Sequence, residues 1–97
     1  MMVQVFDAVL VKAIFLIRMH GWRQRAFGNE RDGFCVVGAL NRAHEQTGFR
    51  TGVLGLLQEL VGGGKVAEWN DAPGRTAVDV IALLERARQE LPRWVDS

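Results

Sequence analysis

The chain has 97 residues, 48% hydrophobic and 24% charged, with 12 Lys and Arg against 11 Asp and Glu for a net charge of +1. That length admits one domain with a modest core, expected to span 1–97, and the composition excludes a disordered chain. The near-neutral balance argues against a general nucleic-acid coat protein, which carries a strong basic surplus. Charge is mildly uneven: residues 1–50 hold seven basic and four acidic groups, residues 51–97 five and seven.

Val3–His20 reads as the first helix, with Phe6, Leu10, Ala13, Ile14 and Ile17 at helical spacing. Gly21 is its natural stop. Gln4, Asp7 and Arg18 mark a wet side. Val11 and Phe15 fall beside it, where a surface helix would ordinarily be charged. Either a later segment covers these two residues, or they form a partner or homodimer interface. The apolar run Val3–Ile17 is broken by Asp7 and Lys12 and falls short of the ~20 residues that span a bilayer. It also lacks the features of a signal peptide, so no membrane association is expected.

Trp22–Asp32 reads as a basic loop, with Gly28-Asn29 and Asp32-Gly33 as turn signals and Arg18, Arg23, Arg25 and Arg31 in or beside it. Phe34–Gln46 reads as a second helix capped by Asp32, with Cys35, Gly38, Ala39 and Ala43 as a small-residue face. The alternative over Phe34–Val37 is a short strand. Thr51 can cap a third helix reaching Val61, with Val53, Leu54, Leu57 and Leu60 inward, ended by Gly62-Gly63-Gly64. Val66–Trp69 suits a single turn, and Ala72-Pro73-Gly74 a type II turn.

Thr76 with Asp79 resembles a capping box opening the last helix, whose apolar face is Ala77, Val80, Ile81, Leu84, Ala87 and Leu91. Glu85 with Arg88 and Arg86 with Glu90 are surface pairs, Pro92 is the expected stop, and Trp94 a plug over the core. The expected fold is therefore all-α: a compact domain of about four helices joined by Gly-rich loops. Its core would join Phe6, Leu10, Ile14 and Ile17 with Leu40, Leu57, Leu60, Val80, Ile81 and Leu84, and Trp22 and Trp69 would seal the loops.

Gly21-Trp22-x-Gln24, Cys35-x-x-Gly38-Ala39-Leu40, Trp69-Asn70-Asp71 and Arg75-Thr76 before Val80-x-x-Leu83-Leu84-x-Arg86-Ala87 follow one another in that order. Together they resemble a family of small bacterial and bacteriophage proteins known only as a domain of unknown function. The resemblance covers most of the chain and implies a helical domain with no established activity and no catalytic residues. Arg25 stands where the family pattern has a small residue.

Cys35, the only cysteine, excludes an internal disulfide and fits a reducing, cytoplasmic setting. As a nucleophile it would need a histidine. His44 is about two and a half helical turns away, and His20 could approach only through tertiary folding. A small buried cysteine is the plainer reading. One Cys and two His lack metal-ligand spacing, and Gly62-Gly63-Gly64-Lys65 lacks the spaced glycines and the Ser or Thr of a phosphate loop, so no metal or cofactor is expected.

Trp69, Asn70, Asp71 and Arg75 form the candidate loop site, read first as structural, with Asp71 pairing with Arg75, and second as a ligand contact. A helix-turn-helix is disfavoured, because Gly52–Val61 offers no Lys or Arg to a major groove. Arg18, Trp22, Arg23, Arg25 and Arg31 could instead bind RNA by charge and stacking. The leading expectation is a non-enzymatic protein-binding domain, an accessory protein of a phage or mobile element acting on a host component. A nucleic-acid accessory protein is the second reading, and a Cys35-dependent enzyme the third.

Overall fold

The computed structural model describes residues 2–96. The described residues form α1 (Met2–His20), a two-stranded hairpin of β1 (Gly28–Asn29) and β2 (Gly33–Phe34), α2 (Val36–Thr47), α3 (Val53–Leu60), α4 (Val66–Asn70) and α5 (Ala77–Val95). The domain is thus mostly helical, with one short helix more than expected and a small β hairpin. No helix among the described residues is long and apolar enough to cross a membrane.

α1 is central, packing against α2 on one flank and α5 on the other, while α3 rests on α5 and α4 on α2. Leu10, Ile14, Ile17, Leu40, Leu57, Val80 and Leu84 are buried, as their spacing predicts. Phe6, Leu60 and Ile81 lie only partly buried at the edge of this core. Leu16, Leu56 and Leu91 fill its interior.

Several local expectations are revised. Residues 34–37 divide between two structures: Phe34 ends β2, Cys35 is the N-cap, and Val36 begins α2. Asp32 therefore does not cap α2. It closes the hairpin turn, where Asn29 Oδ1 accepts the N–H groups of Arg31 and Asp32 at 2.9 and 2.8 Å. At α3 the cap position falls to Gly52, one residue after Thr51; the Thr51 hydroxyl, held by His44 Nε2 at 2.7 Å, still accepts the N–H of Val53, the first helical residue, at 3.4 Å.

Pro92 does not end α5, which continues to Val95. The tertiary contacts of Trp94, whose ring lies 5.8 Å from that of Phe6, hold the final turn against the proline's missing N–H. The Thr76–Asp79 capping box forms as expected.

Gly21 ends α1 with φ 98°. Gly38, inside α2, serves a different need. A Cβ there would stand 1.9 Å from the carbonyl oxygen of Phe27. Only glycine lets the hairpin backbone lie this close to α2, and Phe27 O then accepts the Cys35 N–H at 3.1 Å.

Candidate functional site

Three features stand out: a polar latch under the loops, a hollow beside Cys35, and an apolar stripe on α1. The latch centres on Asn70, the only polar side chain among the described residues that is fully buried. Its Oδ1 accepts from Trp22 Nε1 at 2.7 Å and from the Val36 N–H at 3.1 Å. Its Nδ2 donates to Arg23 O at 3.1 Å and to Asp71 Oδ1 at 3.0 Å. Gln24 Nε2 adds bonds to the carbonyls of Asn70 and Ala72, both 3.1 Å.

One amide thus ties together the loop after α1, the start of α2 and the end of α4. Four bonds saturate the amide, and a saturated buried network rigidifies the core around it.

Asp71 extends the latch by accepting the Arg25 N–H at 2.8 Å. That bond, followed by the one from Asn70, holds its carboxyl below the usual range. Asp71 does not reach Arg75, contrary to the expected pair. Arg75 turns instead to Trp69, its guanidinium 3.9 Å from the ring centroid and its Nε donating to Trp69 O at 2.8 Å. Arg25 adopts φ 70°, the one left-handed non-glycine residue described. A glycine would accept that conformation without steric strain, so Arg25 carries a backbone cost here.

The hollow, of about 460 Å³, is lined by Arg25, Ala26, Phe27, Cys35, Ala67 and Asp71. Cys35 Sγ accepts the Gly38 N–H at 3.3 Å and so works as a helix cap. Burial pushes its thiol up, and the charge of Asp71 adds in the same direction. Activated thiols need the opposite shift. The histidines are engaged elsewhere: His20 lies edge-on to Phe34 at 6.0 Å, and His44 bonds Thr51. Among the described residues no group of three or more His, Cys, Asp or Glu could hold a metal ion.

The basic residues of the loop are dispersed in role. Arg31 pairs with Asp32 at 3.4 Å, Arg23 Nε reaches Gln24 O at 3.4 Å, and Arg25 contributes its backbone to the latch. Trp22, the stacking ring of the nucleic-acid reading, is half-buried and tethered to Asn70. Arg18 stands apart, on the wall of the groove beside α1.

No described segment covers the α1 stripe. Val11 is 43% exposed, Phe15 46% and Met19 60%. They border an open groove of about 450 Å³ whose lining includes Ile14, Arg18, Glu85 and Arg88. Met19, eight residues after Val11 and four after Phe15, continues the row at helical spacing, beyond the two residues that the sequence analysis singles out. On α5, Arg88 reaches Asp7 of α1 at 2.7 Å and Glu85, one turn earlier on its own helix, at 3.1 Å.

These features define a small helical domain knit by a buried amide, with one helix face left without a partner among the described residues. The chain matches the model of a family of unknown function (DUF6197) over residues 2–90, and it belongs to that family. No curated protein and no solved structure matches it.

Proposed function

We propose that the domain is a non-enzymatic protein-binding module whose docking surface is the Val11–Phe15–Met19 stripe of α1. The observation that carries this reading is the exposure of three large apolar side chains in one row, beside a groove, on the central helix of the fold. A contiguous apolar patch rimmed by charge is the usual mark of an interaction surface. The raised thiol of Cys35 and the engagement of both histidines elsewhere favour binding over thiol chemistry. The bacterial and phage resemblance favours an accessory protein acting on a host component, and the single free cysteine fits a reducing cytoplasm.

The test compares the wild-type chain with a Val11→Lys/Phe15→Lys double variant as tagged baits in lysate of the native cell, with nuclease and high salt as controls. A protein captured by the wild type in both controls and absent with the variant is the expected result. Capture of the same proteins by both baits would exclude this surface. Capture that disappears with nuclease would move the function to the basic loop at Arg23 and Arg25.

A further inference from the structure

The rim of the α1 stripe carries a charge pattern that specifies its occupant, given the protein-binding reading above. At about 100° per residue, Val11, Phe15, Ala8 and Met19 fall within about 80° of arc. Arg18 lies about 20° outside one edge and Lys12 about 20° outside the other. Neither forms an ion pair with a carboxylate among the described residues. Lys12 Nζ instead rests 4.9 Å from the Phe15 ring centroid. The nearby acids are already committed, since Asp7 and Glu85 both hold Arg88. The stripe is therefore an apolar row flanked by two cations that form no ion pair among the described residues, with Glu85 beside Arg88 on the far wall of the groove.

From this we infer that the exposed α1 stripe takes an acidic amphipathic helix of a partner protein. Apolar side chains one turn apart would pack on Val11, Phe15 and Met19, and carboxylates on either flank would meet Lys12 and Arg18. Helix-in-groove docking uses this anchor spacing, and rim charge supplies selectivity. A second copy fits poorly. Two antiparallel α1 helices crossing at Phe15 would bring the Lys12 edges of both copies together on one side and the Arg18 edges together on the other, like charge beside like charge.

Two labelled synthetic helices of about 16 residues test this by fluorescence anisotropy. They share Leu anchors at i, i+4 and i+7 and differ in carrying Glu or Lys on both flanks. The Glu peptide is expected to bind the wild-type chain about tenfold more tightly than the Lys peptide. The preference should fade near 0.5 M salt, where the Debye length falls to about 4 Å. A Lys12→Glu/Arg18→Glu variant should reverse it, and a Val11→Ser/Phe15→Ser variant should bind neither peptide.

Equal binding of both peptides to the wild type overturns the charge assignment and leaves the protein-binding reading standing. Binding of neither, with lysate capture still sensitive to Val11→Lys/Phe15→Lys, overturns the acidic helix as occupant. Loss of that capture sensitivity as well removes the protein-binding reading itself. Sedimentation of the wild type with phosphatidylcholine–phosphatidylserine vesicles of about 3:1, without binding of the Glu peptide, replaces the helix by a membrane surface.

Discussion

Asn70 shows how much one side chain can organise when its bonds reach segments far apart in sequence. Replacing it with Ala removes the partner of the buried Val36 N–H and of the part-buried Trp22 Nε1–H and Arg23 carbonyl. Each stranded group costs about 1–3 kcal/mol, so Asn70→Ala should destabilise the domain by about 3–4 kcal/mol. Thermal unfolding should show a fall of more than about 12 °C in Tm. A fall of only a few degrees would mean that the loops hold without the latch. Cys35 makes a different kind of contribution, as a cap. Its thiol should resist alkylation at pH 7 until denaturant opens the domain, because burial disfavours the thiolate. Fast labelling of the native chain would restore the enzymatic reading.

At the level of elements, two glycines inside helices have opposite reasons to be there. Gly38 in α2 is required by contact, since its Cβ would meet the Phe27 carbonyl oxygen at 1.9 Å. Gly55 in α3 is not, since the nearest atom to its Cβ would be the Trp94 ring at an ordinary 3.5 Å. Helix propensity favours Ala over Gly by about 0.8–1.0 kcal/mol at either place. Gly55→Ala should therefore stabilise by about 0.5–1 kcal/mol, and Gly38→Ala should destabilise by about 2–3 kcal/mol. Urea titrations of the pair would check the contrast. Equal gains from both would show that the hairpin can withdraw from α2. α5 makes the related point that packing can outweigh a local breaker, because Trp94 keeps the helix intact past Pro92.

The whole molecule is a slab of 34 × 28 × 17 Å with α1 buried on both flanks and open along one stripe. Stability and surface are separable there, because Val11 and Phe15 already stand nearly half exposed. The Val11→Lys/Phe15→Lys variant used for the capture test should accordingly unfold within about 4–8 °C of the wild type, as two surface substitutions together change stability by at most about 1 kcal/mol. A large drop in Tm would show that the stripe is part of the core. The Asp7–Arg88 pair joins α1 to α5 beside the groove, with both side chains more than 30% exposed. It fixes the geometry of the groove wall more than it stabilises the fold, since exposed pairs contribute 0–1 kcal/mol.

Local chemistry was enough to determine much of this protein from its sequence. The period of α1 and α5, the Gly21 stop and the Thr76–Asp79 box depend on residues within a turn or two of each other, and the structure has them as read. The odd position of Val11 and Phe15 was also legible, because helical geometry alone places them outside the core face. What covers a face is a tertiary question, and only the packing of α5 alongside α1 decided that the stripe stays open. The same holds for Phe34 and Cys35. Their strand-or-cap conformation is set by the Gly21, Phe27 and Gly38 backbones rather than by their own propensities. Asn70 and Arg25 were the least legible. A buried amide and a left-handed arginine are stabilised by partners about 46 residues away, and sequence spacing does not encode that distance.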